Sequence, residues 1–122
     1  MSKNYAAAGA DCIAPSDCMD ERIGYIKNLL WNEFYVIPVM SYGSKFCSKL
    51  YGPFRTACGS APSKGGWDTY QLPIGSKDLA MRALERDIEE GADIIMVKPG
   101  IFYIDVIAWL ADLKPMVPIA AY

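Results

Sequence analysis

Two lysines stand out by where they fall. The run from Val39 to Ser48 is of strand type and ends by delivering Lys45, and the run from Ile94 to Gly100 repeats the arrangement with Lys98. Lysine is among the side chains least often fully buried, so core packing does not call for one at the close of each apolar run. The chemistry that suits such a pair is imine formation with a ketone. Only the unprotonated amine attacks a carbonyl, and a lysine with a reference pKa of about 10.4 is a poor nucleophile near neutrality until its surroundings lower that value. Desolvation at a strand end lowers it, and so does a second ammonium nearby. Reaching about 7 takes roughly 4 to 5 kcal/mol, which the rest of the fold supplies. The plainer alternative is that each lysine lays its stem along apolar surface and keeps its head in water.

The elements that would position these amines alternate between strand and helix. Cys12 to Asp17 is a short apolar run broken by Pro15 and finished by Ser16 and Asp17, which reads as a strand leading into a functional loop. Asp20 reads as a helix N-cap with Glu21 in the first turn, and Ile23, Ile26 and Leu30 share one face of that helix. Val36 to Met40 reads as the next strand. From Tyr51 to Gly75 glycine and proline accumulate, with Tyr51, Phe54, Trp67 and Tyr70 interleaved. A loop of that length inside a compact domain is usually functional, and its aromatics favour a lid that orders. Lys64-Gly-Gly66 lacks the residue order of a phosphate-binding loop. Ser76 reads as the cap of a helix running to about Glu90. Its apolar face is Leu79, Ala83, Leu84 and Ile88; Glu85, Arg86, Glu89 and Glu90 stay in water, and Gly91 stops it. Ile94 to Val97 is continuously apolar, as strands covered on both faces of a parallel sheet are. Ile104, Ile107, Ala108 and Ala111 mark another helix ended by Lys114 and Pro115, and Val117 to Ala121 forms a last strand.

That order implies an α/β fold of parallel units, either a doubly wound sheet or part of an eight-fold barrel. Both architectures gather function at strand C-terminal ends, where Ser16, Asp17, Lys45 and Lys98 fall. A complete barrel takes about 250 residues, so four strands are expected to make about half of a TIM (β/α)8 barrel, with open edges that invite pairing. Residues 1–122 read as one partial barrel domain carrying a lid at about 51–75.

Composition narrows the function classes. The chain has 122 residues, 52% hydrophobic and 21% charged, which describes one ordinary folded domain. Its formal net charge is −2 and it carries no basic block, so the electrostatic footprint of a nucleic-acid binder is missing. No apolar run reaches the roughly 18 residues of a membrane span, and the first residues lack the hydrophobic segment of a signal peptide, which places the chain in the cytoplasm with organelle import left open. Cys12, Cys18, Cys47 and Cys58 show no Cys-x-x-Cys spacing and read as buried free thiols rather than a zinc ribbon or a disulfide framework. Histidine is absent, which removes the usual Ser-His-Asp and Cys-His schemes.

Five segments together resemble the delta-aminolevulinic acid dehydratase, or porphobilinogen synthase, family. They are Ala10-Asp-Cys-Ile-Ala-Pro-Ser-Asp-Cys-Met-Asp20, Met40-Ser-Tyr-Gly-Ser-Lys-Phe46, Tyr51-Gly-Pro-Phe-Arg55, Tyr70-Gln-Leu-Pro73 and Gly91-Ala-Asp-Ile-Ile-Met-Val-Lys-Pro99. The likeness spans nearly the whole chain, and Ala83-Leu-Glu-Arg-Asp87 gives it a eukaryotic flavour. It implies a (β/α)8 barrel that condenses two molecules of 5-aminolevulinate into porphobilinogen, the monopyrrole precursor of haem. Lys98 would form a Schiff base with one substrate molecule and Lys45 with the other, while Arg55 would bind a substrate carboxylate, a task suited to a planar guanidinium. Ser16 and Asp17 match the polar strand end beside the first lysine, with orientation, proton transfer and loop capping all open to them. The resemblance also implies zinc and a homo-octamer. The family's cysteine-rich zinc segment has no counterpart here, a further cysteine position is Thr69, and the second lid arginine aligns with Trp67, with Lys64 a weak substitute. The glutamate that binds magnesium in many bacterial members aligns with Ala83, and the arm used in octamer assembly is missing. The expected outcome is a fragment that holds both lysines but turns over little substrate; the competing expectation is a non-catalytic half-barrel that pairs with itself or with a full-length enzyme.

Overall fold

A computed structural model describes residues 1–60 and 66–122. At its centre lies β2 (Ile94–Lys98), hydrogen-bonded in parallel to β1 (Met40–Lys45) on one side and to β3 (Ile119–Ala121) on the other. The β2 run has no alternation because helices and loops cover both of its faces: Ile95 and Val97 are fully buried and Met96 nearly so. The free edge of β1 is met at its start by Ile13, in a bridge to Val39, and at its end by Leu72, in a bridge to Phe46. The expected strand at Cys12 is thus a single bridge.

Helices α1 (Ser2–Ala7), α2 (Arg22–Leu30), α3 (Gly52–Ala57), α4 (Lys77–Glu89) and α5 (Ile104–Asp112) complete the described chain. Helix α2 buries Ile23, Ile26 and Leu30, the stripe its spacing predicts. Asp20 does not cap it. The N-cap is Glu21, in a left-handed conformation with φ 59°. The exposed amides of this end are met from far along the chain: Glu90 Oε1 accepts from Glu21 N at 2.9 Å and Glu90 Oε2 from Gly24 N at 3.0 Å. An acidic group at a helix N-terminus is favourable both as acceptor and against the dipole.

Further expectations change. The strand expected at Val36–Met40 begins at Met40 instead: Ile37 N closes a turn onto Phe34 O, Pro38 has no amide to give, and Val36 is exposed. Helix α4 buries Ala80, Met81, Ala83, Leu84 and Asp87, leaving Leu79 exposed and Ile88 half-buried. Arg86 and Glu90 are drawn out of water, Arg86 bonding Asp87 through Nε at 2.9 Å and Nη2 at 2.7 Å. In α5 the sheet-facing pair is Val106 and Leu110, one turn apart, whereas Ile104, Ala108 and Ala111 face outward. Ser76 occupies the N-cap of α4, and Gly91 ends that helix with φ +96°, but no Ser76 side-chain bond is made. All four cysteines are free, three half-buried and Cys58 exposed, so none reaches the full burial expected of them.

Candidate active site

The two lysines meet at the C-terminal ends of β1 and β2. Early in the strands Met40 pairs with Ile94 and Ser41 with Ile95, yet later Ser44 pairs with Val97 and Lys45 with Lys98. Between those pairs β1 uses one residue more than β2, which is a β-bulge. Because side chains alternate along a strand, Tyr42 and Lys45 would face opposite sides of a regular one. Across the bulge they share a face, and the Tyr42 ring centroid lies 6.0 Å from Lys45 Nζ and 5.5 Å from Lys98 Nζ.

Both amines are nearly buried, at 7% and 8% exposure for Lys45 and Lys98. They line one pocket of about 340 Å³ with Ser16, Tyr51, Phe54, Arg55, Tyr70 and Gln71 among its walls. Lys45 Nζ donates to Ser16 O at 2.7 Å, to Ser16 Oγ at 3.0 Å and to Tyr70 OH at 3.5 Å, which occupies the three donors of an ammonium. Lys98 has a different setting. Its nitrogen lies 3.4 Å from the Tyr122 ring centroid and 5.2 Å from that of Tyr51. Burial pushes the Lys98 amine below its ordinary value, and the Lys45 charge adds to the depression. Lys45 is thus tied down by hydrogen bonds, whereas the charged form of Lys98 is disfavoured by its surroundings.

Residues that follow β1 in the chain supply the remaining wall. Helix α3 presents Arg55, whose Nη2 reaches Gln71 Oε1 at 3.5 Å and whose guanidinium lies 5.7 Å from the Tyr51 ring. The Tyr51 hydroxyl is buried with no hydrogen-bond partner among the described residues, and burial raises its pKa so that it keeps its proton. Asp17 stands apart from this group. Its carboxylate accepts from Met19 N at 3.2 Å, lies 3.6 Å from Arg22 and faces a second pocket beside Cys12 and Tyr5. Lys64 falls outside the described residues. Sequence reasoning passed over Tyr42, Gln71 and Tyr122. A regular-strand count misplaces Tyr42, and nothing local marks Tyr122 as the ring that covers Lys98.

Among the described residues no group of three or more His, Cys, Asp or Glu is arranged to hold an ion, and the sequence has no histidine, so the residues present do not fit the zinc that the resemblance implies. None of the helices among the described residues is long and apolar enough to cross a membrane.

Comparison with known proteins gives a consistent result. The family model described as delta-aminolevulinic acid dehydratase matches residues 1–122. A delta-aminolevulinic acid dehydratase of Eremothecium gossypii is 51% identical over 128 residues, covering 100% of this chain and 36% of that protein. The Schizosaccharomyces pombe protein of the same name is 48% identical over 124 residues, covering 100% of this chain and 38% of its own length. A solved structure of Toxoplasma gondii delta-aminolevulinic acid dehydratase, in complex with the reaction product porphobilinogen, superposes with a TM-score of 0.91 at 40% identity, over 99% of this chain and 35% of that one. The chain thus spans little more than a third of the relatives it matches.

Proposed function

Because this chain belongs to the delta-aminolevulinic acid dehydratase family, we propose that it carries the lysine pair of a porphobilinogen-forming site. Two molecules of 5-aminolevulinate condense there to porphobilinogen, a lyase reaction that feeds haem and other tetrapyrroles. The observation that carries this reading is the in-register burial of Lys45 and Lys98 on one pocket wall, facing Arg55. Lys98, with its amine depressed by burial, attacks the keto carbon of one substrate molecule. A C–N bond forms, the carbonyl oxygen departs as water, and the imine remains. Lys45 takes the second molecule, after Ser16 and Tyr70 have fixed where its nitrogen stands. Arg55 receives a substrate carboxylate, its plane steadied by Gln71 and Tyr51. The Tyr51 hydroxyl, without a hydrogen-bond partner among the described residues, is suited to a polar substrate atom, since buried polar groups rarely stay unsatisfied. Asp17 is assigned to shaping the loop that carries Ser16.

The same reading extends to architecture: the parallel strands and their helices form a sector of a (β/α)8 barrel. The likeness to 35% of a solved relative supports it. So does the surface, 7576 Å², where a compact monomer of this mass would expose about 6,500 Å². In the 122-residue chain alone, we expect imine formation at Lys98 but little turnover. Borohydride reduction after incubation with 5-aminolevulinate, followed by mass spectrometry, should label Lys98 before any other lysine. Equal labelling of surface lysines would refute an organised site, and robust porphobilinogen formation would refute the fragment reading. A second reading is a non-catalytic chain that pairs with itself or a full-length relative. It is favoured by exposed Ile101, Phe102 and Ile104 on the loop before α5 and at its start, and by exposed Leu113 and Met116 between α5 and β3. Sedimentation separates the two, because a monodisperse monomer speaks against pairing.

A further inference from the structure

The bulge that brings Lys45 abreast of Lys98 needs something to hold it, since an extra residue in a parallel strand breaks the ladder locally. What holds it lies where β1 meets α4. Ser41 Oγ, fully buried, accepts from Gly43 N at 2.8 Å and donates to the Asp87 carboxylate of α4. Asp87 is itself 2% exposed and is gripped by Arg86, which is anchored in turn by Asp20 at 3.3 Å and Glu90 at 3.5 Å. Gly43 fits against this carboxylate only because it lacks a side chain: a Cβ there would come 2.5 Å from Asp87 Oδ2. None of these groups touches the pocket.

We propose that Ser41 and Asp87 form a positioning clasp, in which α4 fixes the β1 bulge and so sets Lys45 and Tyr42 beside Lys98. The clasp rests on the lysine-site reading above, and acts through it rather than on substrate. Without the bulge the early register would carry through the strand, and Lys98 would pair with Ser44 instead of Lys45.

The test reads the lysines directly, without substrate. Competitive acetylation of the whole chain across pH, with mass spectrometry, gives the titration of Lys98, which faces Lys45 and the rings of Tyr42, Tyr51 and Tyr122. Ser41→Ala removes both clasp bonds and is expected to move the Lys98 midpoint toward that of an ordinary lysine, lowering its acetylation at neutral pH severalfold. Asp87→Asn breaks the ion pair with Arg86 yet keeps a hydrogen bond to Ser41 with its direction reversed, so it should unfold more easily while leaving the Lys98 midpoint near that of the parent. A folded Ser41→Ala chain with the parent midpoint would overturn the clasp. So would a pair of variants whose midpoints move in proportion to their loss of stability. Failure of borohydride to label Lys98 in the parent would instead sink the substrate reading and leave the acetylation result standing on its own.

Discussion

Replacing Gly43 with alanine is a one-carbon change whose cost can be worked from distances. The new Cβ would lie 2.5 Å from Asp87 Oδ2, 3.0 Å from Ser41 Oγ and 3.2 Å from Asp87 Cγ. Backbone conformation does not enter, because Gly43 is not among the glycines with positive φ. Asp87 cannot retreat freely, since Arg86 holds its other oxygen through two bonds at 2.9 and 2.7 Å. If the carboxylate moves, its bond from Ser41 is lost, about 1 to 3 kcal/mol for a buried charged group. If β1 moves instead, overpacking costs about 1 to 3 kcal/mol. Either response, or a compromise between them, costs about 1 to 3 kcal/mol, a sizeable share of the about 5 to 15 kcal/mol that holds a domain folded. Urea unfolding followed by far-ultraviolet dichroism measures it, with an expected fall in midpoint of about 0.5 to 1.5 M at an m-value of about 2 kcal/mol/M. Gly75→Ala is the control: nothing lies within 4 Å of its Cβ position and its φ is not positive, so alanine should be neutral or stabilise by about 0.5 to 1 kcal/mol. A Gly43→Ala chain within about 0.5 kcal/mol of the parent would refute the packing argument.

Other outcomes follow from the same geometry. Lys45→Gln should raise the Lys98 midpoint and slow imine trapping at neutral pH, but only in part, because burial is the larger cause of its depression; trapping as fast as in the parent would count against paired amines. Lys98→Met should stabilise the fold at neutral pH by about 1 kcal/mol, because it removes a buried amine whose charged form its surroundings disfavour. The sign is set by linkage: folding depresses the Lys98 pKa, so the cost of the charge is present at pH 7 and fades as pH rises toward the unfolded lysine value near 10.4. Denaturation at pH 7 and pH 10.5 would show whether the gain shrinks. Gly91→Ala should cost about 1 to 2 kcal/mol in thermal or urea melts, since its φ of +96° suits only glycine.

The lysines, the buried stripe of α2, the stop at Gly91 and the continuous strand β2 were all legible because each depends on near neighbours in sequence. What escaped depends on distant ones. Tyr42 could not be assigned to the lysine face without knowing that the strand bulges, and the bulge depends on Asp87, 46 residues away from Ser41. Arg86 and Glu90 looked like a solvated run because their distant partners, Asp20, Glu21 and Gly24, sit on the loop before α2 and in its first turn. The α5 face was misjudged for a related reason: Ile104 is apolar yet 62% exposed, so hydrophobicity alone did not reveal which side meets the sheet. Tyr122 over Lys98 required the fold itself.

Glu90 has a kinetic meaning of its own. It meets the first amides of α2 across 69 and 66 residues, so that helix has no partner for its leading N–H groups until the second strand-helix unit has assembled. Nine residues of helix are too few to persist alone in water. Deuterium uptake at Gly24 should therefore follow whole-chain opening rather than local fraying, and the first 30 residues should neither form early nor melt separately from the sheet.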